Sequence, residues 1–237
     1  MKEPRLSLVL PLYNEEEHLT KSLPRIFFYL ERLKLTYEVI FVEDKSRDQT
    51  LDMISVFVKN KKNIFLIKHQ KNQGRGQSVK DGVLKARGEI VGFIDVDLEV
   101  SPLFIQEVIE PLLKKEADLT IGLRIYHVSL ATFLRFILSK GYIQLVKSIL
   151  GLPFSDTEAG FKFFNRKKIL PIIKKTKNKN WFFDTEIVAR AYQSGLLVKE
   201  IPVLFVRNTQ KTSTVSPLKD SLVYLWELVK FKRKLYI

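Results

Sequence analysis

A chain of 237 residues, 46% of them hydrophobic, carries enough apolar material for one sizeable domain. It has no cysteine, which excludes disulfides, a thiolate nucleophile and cysteine-held metals, and its three histidines (His18, His69 and His127) lack ligand spacing. The formal net charge of +14 calls for anionic partners: nucleic acid, a phosphate-rich small molecule or an acidic membrane surface. A lysine-rich solvated surface accounts for part of that charge. Residues 1–5 lack a signal-peptide core, and no run of about 18 uncharged apolar residues occurs. The expectation is a chain that does not span a membrane.

In chain order, residues 5–10 read as a short apolar strand closed by Pro11. Asn14 opens a helix as its N-cap, and Glu15, Glu16 and Glu17 suit the positive end of the dipole. Leu19, Leu23, Phe27, Leu30 and Leu33 then recur at helical spacing, and Pro24 should interrupt or kink that helix. A strand over 37–42 ends in Glu43-Asp44-Lys45-Ser46-Arg47-Asp48. A helix, a strand over 63–68, a glycine-containing loop and a helix over about 77–87 follow. Next comes the apolar run Ile90-Val91-Gly92-Phe93-Ile94, which breaks into Asp95-Val96-Asp97-Leu98-Glu99.

Strands and helices alternating at this length indicate an α/β fold with a mostly parallel sheet and right-handed crossovers. Ligands of such sheets sit at the carboxyl ends of the strands. Residues 13–15, 43–44 and 95–99 all fall at such ends, so one site is expected. If the chain stays extended past Ile94, alternation puts Asp95, Asp97 and Glu99 on one face. Three carboxylates on one face repel one another unless a cation lies between them. A hard divalent ion held by one or two of them, with diphosphate oxygens completing its shell, resolves the repulsion. Alone, an Asp-x-Asp is more simply a polar turn; the other acidic strand ends change the reading.

After Pro102 the pattern predicts a helix to about residue 115 and a strand over 118–124. Residues 128–150 are rich in Leu, Ile and Phe but carry Arg135, Lys140 and Lys147. They fit an interfacial amphipathic helix or helix pair, and equally a packed core helix. A polar turn, Asp156-Thr157-Glu158-Ala159-Gly160-Phe161-Lys162, runs into a short strand. A basic loop (174–180), a helix (181–194), a strand (197–206) and a polar loop (207–216) follow. The chain closes on an amphipathic helix over 219–236 with Lys230, Lys232, Arg233 and Lys234 at its end. No repeat and no linker marks a second domain, so residues 1–237 read as one unit.

Several stretches together resemble one family. They are Pro11-Leu12-Tyr13-Asn14-Glu15, Val42-Glu43-Asp44-Lys45-Ser46-Arg47-Asp48, Asn72-Gln73-Gly74-Arg75-Gly76, Asp95-Val96-Asp97, the turn Asp156 to Lys162, Phe183-Asp184-Thr185-Glu186 and Glu200-Ile201-Pro202-Val203. Their order and spacing are similar to the inverting family 2 glycosyltransferases of GT-A fold, specifically the dolichyl- or polyprenyl-phosphate hexose synthases. The resemblance implies a Rossmann-like central sheet with amphipathic helices at the C-terminus, from about residue 216, lying on a membrane surface. It implies that Pro11, Tyr13, Glu15, Val42 and Asp44 frame the nucleotide, with Val96 and the loop Ser213 also at the substrate. Asp95, Asp97 and Glu99 would hold Mg²⁺ or Mn²⁺. Arg124, with Arg135 and Ser139 of the next helix, would grip the acceptor phosphate, and Arg207 would face the donor diphosphate. Three departures stand out: Thr214 replaces the usual loop lysine, Glu43 replaces a common Asp, and Lys45 stands where glycine is frequent, which implies an altered turn.

That chemistry agrees with the residues. Charge growing on a leaving nucleoside diphosphate needs a metal and a cation such as Arg207. A phosphate monoester, with its second pKa near ~6, attacks without a dedicated base. A hydroxyl acceptor would need one, and Asp156 or Glu158 would be the candidates. Asp156 also reads as a turn residue satisfying backbone amides, Arg135 as a snorkelling side chain, and Arg75 more simply as a surface charge than as a phosphate contact. Two donors compete. Trp181 to Glu186, Asp156 to Lys162 and the tail Val215-Ser216-Pro217-Leu218 resemble the glucosyl branch, which uses UDP-glucose; Asp95-Val96-Asp97-Leu98 followed by Pro102 resembles the mannosyl branch, which uses GDP-mannose; the balance leans to glucose. The implied partners are the nucleotide sugar, the lipid phosphate, the cytoplasmic face of a membrane and an anchoring subunit. A glycan hydroxyl is the alternative acceptor. A non-catalytic basic module for nucleic acid or membrane explains the charge, but not acidic clusters at three strand ends; no nucleic acid is expected.

Overall fold

In the computed structural model, which describes residues 3–126, 133–206 and 217–235, seven strands form one sheet. They are β1 (Leu6–Leu12), β2 (Tyr37–Glu43), β3 (Ile64–Lys68), β4 (Ile90–Ile94), β5 (Leu119–Tyr126), β6 (Phe161–Asn165) and β7 (Val198–Phe205). Their order is β3-β2-β1-β4-β6-β5-β7. Six run in one direction; β6 lies antiparallel between β4 and β5. The helices are α1 (Glu16–Arg32), α2 (Thr50–Val58), α3 (Arg75–Lys85), α4 (Ile105–Leu113), α5 (Phe133–Leu150), α6 (Arg166–Lys175), α7 (Phe183–Gln193) and α8 (Pro217–Leu235).

The sheet is covered on both faces, which is why its inner strands read as continuous apolar runs. In β1, Leu6, Leu8, Leu10 and Leu12 point to one side and pack with Leu19, Leu23, Ile26 and Leu30 of α1 and Ile105 and Val108 of α4. Val9, between them, points to the other side and meets Val79 and Val83 of α3. That second core extends through Val146 and Leu150 of α5 and Ile187 of α7 to Leu228 and Phe231 of α8. Each fully buried leucine contributes about 2 kcal/mol.

Several local expectations are corrected. Pro24 neither breaks nor ends α1, which runs through it. It is exposed, so the carbonyl it leaves unpaired, that of the exposed Thr20, faces water. Asn14 is not the N-cap. It takes φ 54°, its Oδ1 accepts from the Arg47 amide at 2.8 Å, and Glu15 occupies the cap position without a side-chain cap. The first turn is satisfied from another loop instead: Glu16 N donates to Asp48 Oδ2 (3.1 Å) and Glu15 N to Thr50 Oγ1 (2.8 Å). Pro11 lies inside β1, beyond Val9 where pairing with β4 stops. Lys45 keeps the turn a glycine would make, at φ 61°, against a cost of roughly 1 kcal/mol. α6 was not expected at all; Asn165 caps it by accepting from Lys168 N, and Ile169, Ile172 and Ile173 bury its inner face.

Candidate active site

β4 stops at Ile94, and the chain does not stay extended through Glu99. Leu98 takes φ 53°, its amide turns back to Asp95 O (3.4 Å), and Glu99 N donates to Asp97 Oδ1 (3.3 Å). Val206 N then reaches Glu99 O (2.8 Å), which ties the turn to the end of β7. A turn, not strand alternation, therefore gathers the carboxylates. Asp95, Asp97 and Glu99 line one small pocket of about 50 Å³ together with Arg124, Gly160 and Phe205. It opens at the carboxyl ends of the parallel strands.

From Asp95 in the pocket wall an ionic chain runs inward, from partly exposed to wholly buried. Arg75, at the start of α3, sets Nε on Asp95 Oδ1 (2.9 Å) and Nη2 on Asp95 Oδ2 (3.1 Å), while Nη1 reaches Asp184 Oδ2 of α7 at 2.5 Å. Lys162 of β6, wholly buried, donates to Asp184 Oδ1 (3.1 Å) and to the Ala159 carbonyl. The Arg75 guanidinium also lies over the rings of Trp181 (5.1 Å) and Phe93 (5.5 Å). Arg75 is thus a buried linker between the two acids, and the surface-charge reading is corrected. Burial opposes its charge, but Asp184 and Asp95 outweigh that and hold its pKa above the usual guanidinium range. Burial pushes the Asp95 carboxyl up, Arg75 pulls it back, and Asp97 and Asp184 push it further up. Burial lowers the Lys162 amine against the pull of Asp184.

On the far wall Arg124, near the end of β5, forks onto Asp156: Nε to Oδ2 at 2.6 Å and Nη2 to Oδ1 at 2.8 Å. Glu200 of β7 holds the Ser155 and Asp156 amides (2.6 and 2.8 Å). Asp156, 2% exposed, takes that fork and also accepts from the Arg124 amide at 3.4 Å, as its turn reading expects. Glu158, two residues on, is different. Burial pushes its carboxyl up to about 7, with Arg124 acting against that and Asp156 and Asp184 adding to it.

Asp44 directly follows β2. Its Oδ1 accepts from Gln73 N (2.7 Å) and its Oδ2 from Gly74 N (2.8 Å), so it anchors the glycine loop that starts α3. Gly74 has φ 96°, and a β-carbon there would lie 2.4 Å from Lys179 O, so only glycine fits. Tyr13 is exposed at 39%, beside Glu15 at the end of β1. The side chains of Val42 and Val96 are buried in the two cores, so only their backbone can face a ligand, a correction to their expected roles. Arg207 and Ser213 lie outside the described residues, as do the side chains of Arg135 and Ser139 on α5. Sequence reasoning quoted Gly160, Lys162, Asp184 and Glu200 within motifs but gave them no role. The signal for them was the motif spacing itself, which needs the folded sheet before it brings β6 and α7 behind β4.

The donor set fits a hard divalent cation. Asp97 and Glu99 are partly exposed carboxylates in one pocket, while Asp95 has both oxygens on Arg75 and adds charge from behind. Among the described residues no three His, Cys, Asp or Glu side chains could hold an ion unaided. Phosphate oxygens and water would have to complete the shell, as is usual for Mg²⁺.

Sheet order, the acidic turn at its carboxyl rim and the flanking helices define the GT-A fold. Glucosyl-3-phosphoglycerate synthase from Mycobacterium tuberculosis, crystallised with Mn²⁺, UDP and glucosyl-3-phosphoglycerate, superposes with a TM-score of 0.72 at 17% identity, over 96% of this chain and 80% of that one. S. aureus TarS 1–349 in complex with UDP-GlcNAc superposes with a TM-score of 0.60 at 16% identity, over 96% and 66%. The glycosyl transferase family 2 model matches residues 7–171, and the chain belongs to that family. Similar curated proteins include dolichyl-phosphate beta-glucosyltransferase ALG5D of Trichomonas vaginalis, 31% identical over 84% of this chain and 64% of that protein. Dolichyl-phosphate beta-glucosyltransferases of Dictyostelium discoideum (27%; 96% and 73%) and Saccharomyces cerevisiae (30%; 84% and 66%) are also similar. The chain thus spans just under two thirds of the length of the Trichomonas and yeast relatives.

Proposed function

We propose that this chain moves glucose from UDP-glucose to dolichyl or polyprenyl phosphate, with inversion, using Mg²⁺ or Mn²⁺. The observation that carries the reading is the pocket at the strand ends that Asp95, Asp97 and Glu99 line together with Arg124. Anionic donor and anionic acceptor both need cations there, and the carboxylates need one between them. A bound divalent ion would offset the charge on the leaving diphosphate. Asp97 and Glu99 would hold it, and Arg75 and Asp184 keep Asp95 fixed behind them. Arg124, held by Asp156, would present positive charge toward the acceptor, and Arg207 would serve the donor. A lipid phosphate dianion needs no base, and both Asp156 oxygens already face Arg124. The similar curated proteins named above are beta-glucosyltransferases, which supports UDP-glucose over GDP-mannose.

Peripheral attachment to the cytoplasmic face of a membrane, alone or beside an anchoring subunit, belongs to the same reading. On α8, Val223 and Trp226 are 57% and 61% exposed, next to Lys230, Lys232 and Arg233. Among the described residues no helix is long and apolar enough to cross a membrane.

A second reading, transfer to a glycan hydroxyl, rests on Glu158, whose carboxyl at about 7 suits a general base. One experiment separates the two. Radiolabelled UDP-glucose and GDP-mannose are offered with polyprenyl phosphate or the matching alcohol, with Mn²⁺ or a chelator, to the wild type and to Asp97→Ala. Product from UDP-glucose and lipid phosphate only, lost with the chelator and in Asp97→Ala, is expected. Efficient transfer to the alcohol would overturn the lipid-phosphate reading, and transfer without metal would overturn the metal.

A further inference from the structure

The buried His69 belongs to no motif. It follows β3 directly, its amide donates to Glu43 O (2.9 Å), and it is 7% exposed. Its ring Nδ1 lies 2.7 Å from Asp44 Oδ1 and its Nε2 3.1 Å from Asp81 Oδ2 on α3. Asp81 is itself steadied by Gln77, whose Nε2 donates to Oδ1 at 2.9 Å. Each ring nitrogen therefore meets a carboxylate oxygen, one before α3 and one on it.

We propose that His69 is a positioning residue for the donor half of the site. Its ring bridges Asp44 and Asp81 and so fixes the loop that delivers Arg75. Asp44 Oδ1 meets both the His69 Nδ1 and the Gln73 amide, and Oδ2 takes the Gly74 amide. Arg75 is the next residue, and it carries the fork on Asp95. Asp81, one and a half turns further along α3, is the second point at which the ring holds that helix. The carboxylate that follows β2, the loop and the helix are therefore locked by one ring. Without it, Asp44 keeps its two backbone donors but loses its side-chain partner in a nearly dry position. The effect on donor binding rests on the proposed glycosyl transfer; the bridge itself does not.

Two measurements test this. In His69→Gln and His69→Leu, exchange of the Gln73 and Gly74 amides should quicken about tenfold, the scale of losing one hydrogen bond to a carboxylate, while amides of β1 keep their protection. Asp81→Asn should give a smaller acceleration. Calorimetric titration with UDP and Mn²⁺ should show weaker binding in His69→Leu, with kcat at saturating donor little changed and His69→Gln partly restoring affinity. Unchanged exchange at Gln73 and Gly74 in either His69 variant overturns the proposal. The exchange rates need no ligand. Failure of the wild type to bind UDP would count against the glucosyl-transfer reading and leave the bridge standing.

Discussion

Gly160 faces Asp95 so closely that a methyl group on its α-carbon would lie 1.9 Å from Asp95 Oδ2 and 2.8 Å from Arg75 Nη2. The glycine at the head of β6 is therefore what lets the Arg75–Asp95 fork sit against the pocket wall. Gly160→Ala should displace that carboxylate. A shift of this size costs about 100-fold in turnover, and overpacking costs roughly 1–3 kcal/mol of stability. Mn²⁺ titration followed by electron paramagnetic resonance should show weakened binding in a variant that keeps its circular dichroism spectrum. Undiminished metal affinity would mean that Asp95 plays no part in the metal centre.

The Arg124–Asp156 fork yields a stability prediction. Asp156 is 2% exposed, and removing its partner strands a buried charge, at a cost of about 3–5 kcal/mol. Arg124→Ala should lower the urea midpoint accordingly. Adding Asp156→Asn should recover much of that loss but none of the transfer activity, because the cation facing the pocket is still missing. Additive losses in the double variant would show that the two side chains do not act as a pair.

Glu158 makes stability depend on pH in a definite direction. Its carboxyl is raised from the ordinary 4.5 to about 7 by burial, so the folded state holds the proton more tightly than the unfolded chain. The stability from this group is complete below about 4.5 and is lost as pH rises through about 7. Glu158→Gln should match the wild type in acid and melt at higher temperature in mild alkali. Thermal melts across that interval check it; parallel curves would show that the carboxyl titrates normally.

Membrane attachment through α8 should be reversible. Lys230, Lys232 and Arg233 each contribute about 1 kcal/mol near an anionic surface, and salt screens them. Flotation with acidic liposomes should succeed at low salt and fail at high salt, and Trp226→Ser should weaken it. Equal recovery on neutral liposomes would leave the basic residues without a role.

The alternation of strands and helices was legible because hydrophobic period is a local property. Leu19, Leu23 and Leu30 advertise α1, and the run Ile90 to Ile94 advertises β4. The acidic strand ends were legible too, since Asp95, Asp97 and Glu99 are neighbours in sequence. What stayed hidden was non-local. Asn14 looks like a cap until Arg47, 33 residues away, claims its side chain. Arg75 looks like a surface charge until Asp184, 109 residues on, folds against it. The α6 helix escaped notice because three basic residues, Arg166, Lys167 and Lys168, open it and mask Ile169, Ile172 and Ile173 behind them.

Because β6 is the one strand that runs backwards, its first residue, not its last, stands at the rim where β5 ends. Tyr126 and Phe161 both stand at this rim, so β5 ends and β6 begins on the same side of the sheet. Strand register is set elsewhere, by pairs such as Ile121 with Lys162. The excursion between the two strands is nonetheless tied to the pocket it borders, by Asp156 on Arg124 and by Gly160 beside Asp95, so a change in its length would be felt at the pocket wall before it reached the strand pairing.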